Sequence, residues 1–172
     1  MKANVEIKAR VSDSDSFADL VGSLSGGPPE VILQHDVFFH VVHGRLKLRM
    51  FADETGELIQ YVRPDRGGPG ISRYVLAPTD HPALLREALA AALGEAGEVR
   101  KRRRLWLVGR TRIHLDEVDG LGSFMELEVV LADGESTAEG EEEAEQLRVR
   151  LGVQNRDLID RAYVDLLAEV GS

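Results

Sequence analysis

Polar and apolar residues alternate along Ala3–Val11. Val5, Ile7, Ala9 and Val11 fall on one face, and Asn4, Glu6, Lys8 and Arg10 on the other. Period-two alternation predicts a strand with one buried face. Later stretches repeat the pattern with charges of both signs. Arg45, Lys47 and Arg49 alternate with Leu46, Leu48 and Met50. Arg112, His114 and Asp116 alternate with Ile113 and Leu115, and Glu126 and Glu128 with Met125, Leu127 and Val129. One such strand describes a sheet with a solvated side. Several sharing a sheet would put a dense set of Lys, Arg, Asp and Glu on one face.

The remaining pattern supplies the other elements. Ser12–Ser16 offers N-cap residues, and Phe17, Leu20, Val21 and Leu24 follow at helical spacing until Ser25-Gly26-Gly27-Pro28-Pro29. Strands are predicted over 31–42, 45–51, 57–63 and 72–76, with turns at His43-Gly44 and Asp53-Glu54-Thr55-Gly56. Pro64–Gly70 reads as a flexible loop. His81-Pro82 opens a helix whose apolar face is Leu84, Leu85, Ala88, Leu89, Ala92 and Leu93. Strands follow over 99–108, 111–118 and 124–131, with a tight connection at Gly109. A helix is predicted near 138–151 and a final one near 157–169, with Leu158, Ile159, Ala162, Leu166 and Leu167 on its inner side. About eight strands and four helices joined mostly by hairpins imply an α+β fold on an antiparallel sheet.

Composition narrows the function classes. The chain has 172 residues, of which 43% are hydrophobic, enough for a single domain over 1–172 with its own core. It has no cysteine, which excludes disulfides, Cys nucleophiles and Cys-ligated zinc and fits a cytoplasmic protein. No apolar run reaches the roughly 18–20 residues of a membrane span, and the N-terminus shows no signal-type apolar region. Net charge is −9, which argues against general nucleic-acid binding. Residues 100–104 read Arg-Lys-Arg-Arg-Arg, but alternation sends Lys101 and Arg103 to one face and Arg100, Arg102 and Arg104 to the other. Residues 133–145 hold seven acids and no base, and this acidic segment enters the helix predicted near 138–151.

A sheet with a charged face can stay open or close. Closure into a barrel removes both edges and lets the charged faces converge on a tunnel. Leu46, Leu48, Ile113, Leu115, Leu127 and Val129 would then point outward, under the amphipathic helices. The inward set would hold the cations Lys8, Arg10, Arg45, Lys47, Arg49, Arg63, Lys101, Arg103 and Arg112 and the acids Glu6, Asp116, Glu126 and Glu128. Converging Arg forks match phosphate oxygens. A few clustered carboxylates suit a hard divalent cation. Together they describe a metal–triphosphate site, with no Gly-x-x-x-x-Gly-Lys-Ser/Thr loop and hence no P-loop chemistry. His35, His40, His43, His81 and His114 are scattered and read as structural.

At these residues a family resemblance appears. Asn4-Val5-Glu6-Ile7-Lys8 resembles the Glu-x-Glu-x-Lys opening of the CYTH superfamily, the triphosphate tunnel metalloenzymes. Leu46-Lys47-Leu48-Arg49 resembles their basic hairpin. Lys101-Arg102-Arg103, His114 through Phe124 and Glu126-Leu127-Glu128 follow in the family's order. Tyr163-Val164-Asp165-Leu166-Leu167 is similar to the C-terminal segment of the class IV adenylyl cyclase branch.

The resemblance implies an eight-stranded antiparallel closed barrel that binds triphosphates with Mg2+ or Mn2+. It implies Glu6, Glu126, Glu128 and Asp116 as metal residues, with Asp116 alternatively orienting a base. Lys8, Lys47, Arg49, Arg63, Lys101 and Arg103 would bind phosphates, and Asp116, Glu6 and Lys8 would serve catalysis. Arg10 and Arg112 are expected at the tunnel mouth, and the face of Arg73 is left open. Asn4 departs from the family pattern by replacing its first Glu with a neutral ligand, which puts metal affinity or a second metal in question.

The reaction stays open between a triphosphatase acting on inorganic or organic triphosphate, an adenylyl cyclase, and a non-catalytic polyphosphate or nucleotide-binding module. The expected partner is a triphosphate-containing small molecule, with no nucleic acid and no membrane, on a monomer or homodimer.

Overall fold

The computed structural model describes residues 2–63 and 69–171. The central part of the expected Pro64–Gly70 loop, residues 64–68, lies outside them. The described residues form strands β1 (Lys2–Arg10), β2 (Glu30–Phe39), β3 (Arg45–Phe51), β4 (Gly56–Val62), β5 (Gly70–Thr79), β6 (Glu95–Val108), β7 (Thr111–Val118) and β8 (Gly122–Val130) and four helices, which follow β1, β5 and β8. These are α1 (Ser14–Ser25), α2 (Pro82–Leu93), α3 (Thr137–Arg150) and α4 (Tyr163–Val170). The strands close in the order β1-β5-β4-β3-β2-β6-β7-β8, every pairing antiparallel. Closure comes from β1, which pairs with β5 on one side and β8 on the other. The expected α+β closed barrel is the fold of this chain.

Closure divides the side chains as the alternation requires. Val5, Ile7, Ile113, Leu115, Leu127 and Val129 point outward and are buried with Phe17 and Val21 of α1 and Ala144 and Leu147 of α3. Leu48 joins Val37 and Phe39 beneath Leu85 and Leu89 of α2. Each such side chain removed from water contributes about 1.5–3 kcal/mol. The barrel's inner wall carries the charged side chains together with an apolar cluster of Phe38, Val99, Val118 and Phe124 against Tyr163, Val164 and Leu166, and the rest of the hydrophobic core lies between sheet and helices.

Two close approaches fix where helices seat. A Cβ on Gly140 of α3 would lie 2.6 Å from Leu131 and 3.0 Å from Val5, so the absent side chain lets α3 rest on β1. Gly97 has φ +147° beside the register shift between β2 and β6, and a Cβ there would lie 2.7 Å from Val164 of α4.

Several elements differ from the sequence expectation: β2 ends at Phe39 rather than at 42, and β6 begins at Glu95 rather than at 99. The strand predicted over 72–76 runs from Gly70 to Thr79. On α2, Leu85, Leu89 and Ala90 pack inward, whereas Leu84 and Leu93 are exposed, because the helix meets the barrel along one narrow row. The final helix begins at Tyr163 rather than near 157. Asn155–Asp157 is a single 3-10 turn. Leu158 bridges Ala9, and the Ile159 N–H donates to the Lys8 carbonyl at 2.9 Å, so main-chain pairing with β1 overrides the helical spacing of the apolar residues.

Candidate active site

The inner wall encloses a cavity of about 400 Å³. Nine Lys and Arg side chains line it against six Asp and Glu, so a chain of net charge −9 carries a basic interior. Two arrangements on opposite flanks of β2 repeat one geometry. On β3, Lys47 and Arg49 share the carboxylate of Asp36, which sits directly opposite Arg49 in register. Arg49 Nε and Nη2 donate to Asp36 at 2.8 and 2.9 Å, and Lys47 Nζ donates at 2.9 Å. On β6, Lys101 and Arg103 share Asp116, which sits opposite Arg103. Arg103 Nε and Nη2 donate to it at 2.7 Å each, and Lys101 Nζ donates at 3.2 Å. A Lys and an Arg two apart on a strand share one face. One Asp across the ladder then anchors both, holding the guanidinium plane by two bonds.

The electrostatics follow from burial plus these pairs. Burial opposes ionisation of Asp36 and Asp116. The Arg49 and Lys47 charges outweigh it at the first and the Arg103 and Lys101 charges at the second, holding both carboxyls well below the usual range. Burial, reinforced by Arg103, pulls Lys101 down to about 8. Burial, reinforced by Arg49, lowers Lys47 as well.

The carboxylate side of the cavity is built by β1, β7 and β8. Glu6 lies opposite Glu128 in register and Lys8 opposite Glu126. Lys8 Nζ is 3.2 Å from Glu126 and 3.9 Å from the Tyr163 ring centroid. Glu126 also accepts from Arg103 at 2.7 Å. Arg63 Nη1 stands 3.5 Å from Glu6, and Arg112 Nη1 3.6 Å from Glu128. Burial, then the charges of Glu128 and Glu126, raise Glu6 to about 7 against the opposing pull of Arg63 and Lys8. Glu126 shifts the other way: burial is outweighed by Lys8, Arg103 and Lys101.

His114 faces the same space. Its Nδ1 is 3.6 Å from Glu126 Oε2 and 3.8 Å from Glu128 Oε1, and the three residues place one donor atom each within 4.8 Å of one another. Two adjacent donors on an ion at about 2.1 Å are about 3.0–3.4 Å apart, so this set fits a shared divalent cation with small movements. Asn4 Oδ1, also buried in the wall, has no hydrogen-bond partner among the described residues. Asp116 stands apart from the His114 group, its oxygens taken by Arg103, Lys101 and the Tyr163 hydroxyl at 3.1 Å.

Residues 2–163 match the CYTH domain. This chain belongs to the CYTH family. The Aeromonas hydrophila adenylate cyclase CyaB is 26% identical over 172 aligned positions, taking in 92% of this chain and 85% of that protein. Among solved structures, the PH1012 protein of Pyrococcus horikoshii superposes with a TM-score of 0.81 at 19% identity, covering 95% of this chain and 98% of its own. A Hippeastrum protein, HpAC1, whose structure is described as revealing a dominant triphosphatase activity, superposes at 0.66 with 18% identity, covering 100% and 97%. The structural likenesses speak for the CYTH barrel.

Within that barrel, Glu6, Lys8, Lys47, Arg49, Arg63, Lys101, Arg103, Glu126 and Glu128 all line one cavity. Arg112 joins them at its partly exposed end, whereas Arg10 is exposed with its guanidinium over the Phe124 ring. Arg73 is exposed on the face opposite to Ser72 and Tyr74, which line the cavity. Arg100 and Arg102 are exposed, and Arg102 and Arg104 pair with Glu117 on the outside.

Sequence reasoning missed Asp36, His114 and Tyr163 as site residues. Asp36 shares a face with Gln34 on a strand otherwise rich in apolar residues, which was its available signal. His114 lies on the same alternating face as Asp116. Tyr163 is placed by the turn into α4, which leaves its ring 5.0 Å from Phe124 and its hydroxyl on Asp116.

Proposed function

We propose that this chain is a divalent-metal-dependent triphosphatase that hydrolyses inorganic triphosphate or an organic triphosphate. The observation that carries the reading is the pair of Asp-anchored Lys/Arg sets on β3 and β6, facing the same cavity as the carboxylates of β1 and β8. Lys47, Arg49, Lys101 and Arg103, with Lys8 and Arg63, bind the phosphate chain. Their fixed orientation stabilises charge without reorganisation at the moment of reaction. Glu6, Glu126 and Glu128 hold a divalent cation, Mg2+ or Mn2+, which when bound neutralises phosphate charge and polarises the phosphoryl oxygens.

Water attacks the terminal phosphorus, the bridging P–O bond breaks, and orthophosphate leaves with the shortened chain. Glu6 takes the proton released by the water. The Glu6 oxygen not given to the cation accepts it, and a dication beside the carboxyl keeps that group ionised and able to act as a base at pH 7. Asp116 acts as the anchor that aims Arg103 and Lys101.

A second reading is supported by the likeness to CyaB and by a separate cleft of about 450 Å³. It shares Phe38, Arg45, Tyr61 and Arg63 with the main cavity and adds His40 and Val164, so its walls suit an organic headgroup. In that reading the 3′-hydroxyl of a bound ATP attacks the α-phosphorus, pyrophosphate leaves, and cyclic AMP forms. Incubation with inorganic triphosphate or ATP, with Mg2+ or Mn2+, followed by chromatography of products separates the readings. Orthophosphate release supports the triphosphatase. Cyclic AMP with pyrophosphate supports the cyclase. Tight binding without product would make the chain a polyphosphate or nucleotide-binding module.

A further inference from the structure

The phosphate chemistry above leaves the cavity residue His114 without a task. It lies at the middle of β7, paired on both sides within the barrel, opposite Leu105 of β6 and Glu126 of β8. Its residue exposure is 3%, and Nδ1 is fully buried without a hydrogen-bond partner among the described residues. A buried polar atom left unpaired costs about 1–3 kcal/mol. The nearest groups are the Glu126 and Glu128 carboxylates at 3.6 and 3.8 Å. The three residues place one ligand atom each within 4.8 Å of one another, and Glu126 Oε2 also accepts from Arg103 at 2.7 Å, a bond that a bound cation would share or displace.

We propose that His114 Nδ1 is a metal ligand, and that with Glu126 and Glu128 it makes a nitrogen-containing site that selects a first-row transition dication, Mn2+ or a later ion, over Mg2+. The inference rests on the divalent-metal reading of the cavity and goes beyond it in naming the ligand atom and the class of ion. Magnesium takes oxygen ligands and dehydrates reluctantly, so an imidazole in the set adds little to its binding. For first-row transition ions an imidazole nitrogen is a good ligand, and affinity rises from Mn2+ onward along the series. A rigid position suits this role: β7 cannot shift His114 away without breaking pairing on two sides. With Asn4 in place of an acid on β1, the nitrogen also supplies a strong ligand without adding negative charge to the cavity.

The test uses the full chain, stripped of metal by chelator, and Mn2+ alone as probe. Loss of the free Mn2+ resonance on titration reports binding. Electron spin echo modulation of the bound ion reports a coupled 14N nucleus, and Mg2+ competition reports selectivity. The expected result is one Mn2+ per chain, 14N modulation, and displacement by Mg2+ only at about a hundredfold or greater excess. His114→Asn is expected to lose the imidazole modulation and at least tenfold of the Mn2+ over Mg2+ preference.

The parent spectrum decides even where the variant fails to fold. Bound Mn2+ without nitrogen coupling overturns the assignment, as does an unchanged preference in a folded His114→Asn. In either case, Mg2+-supported cleavage of triphosphate would leave the proposed function standing. Failure of any divalent ion to bind or support cleavage would overturn both.

Discussion

Replacing Asp116 by Asn tests whether one buried carboxylate holds the β6 cations in position for phosphate. Asp116 is 0% exposed and accepts from Arg103 twice, Lys101 once and Tyr163 once. The amide keeps the shape and one acceptor oxygen but removes the charge. Breaking a buried ion pair costs about 3–5 kcal/mol, and here Arg103 retains Glu126 at 2.7 Å, which favours the lower end. For a domain of this size each kcal/mol moves Tm by about 2–4 °C, so a loss of about 3 kcal/mol lowers it by about 6–12 °C.

Inorganic triphosphate should reverse much of that loss, because it supplies the anion that the uncompensated Lys101 and Arg103 lack. A ligand at a hundred times its Kd adds about 2.7 kcal/mol. The increment should be larger in the variant, whose cations no longer exchange a carboxylate for a phosphate. The assay is thermal unfolding by circular dichroism at pH 7 in chelator-treated buffer, with and without saturating triphosphate. A Tm within about 2 °C of the parent, or a deficit that triphosphate leaves unchanged, would refute the anchoring role.

Glu128→Gln removes one charge from the carboxylate group. It should weaken Mn2+ and Mg2+ binding by tenfold or more in calorimetry, with partial recovery of activity at high metal and a small loss of metal-free Tm, because burial is outweighed by the charges of His114, Arg103 and Arg112, which favour ionised Glu128 in the fold. Lys101→Ala should weaken triphosphate binding by about tenfold or more while the metal dependence of the rate changes little, because Lys101 hydrogen-bonds Asp116 and acts on the metal carboxylates only through its charge on Glu126. Glu6 should make metal-free stability fall as pH rises. Its folded value, about 7, exceeds its ordinary value of 4.5, so the folded state holds the extra proton between them and ionisation there works against folding. Glu6→Gln should therefore match the parent Tm near pH 4 and exceed it at pH 7.5; parallel Tm curves for the two proteins would contradict this.

The local pattern determined which face of each strand is charged, because a strand sends successive side chains to opposite sides whatever it later packs against. From that alone Lys47 and Arg49, Lys101 and Arg103, and Glu126 and Glu128 were assigned as same-face pairs, and Leu48, Ile113 and Leu127 to the opposite side, where helices now bury them. Order and register are different in kind, since they depend on contacts between residues far apart in the chain. Only closure decided that β1 lies between β5 and β8, bringing Glu6 beside Glu128. Only the β2–β3 register turned Asp36, one acid in a mostly apolar strand, into the anchor for two cations. His114 looked structural as a lone imidazole, and it became a metal candidate when β8 set two carboxylates beside it. Leu158 and Ile159 carried helical spacing, yet the barrel edge near β1 offered their backbone hydrogen bonds that helix formation would have forgone. Spacing along a chain reports local geometry; which charges neutralise one another is set by the tertiary pairing that brings them within reach.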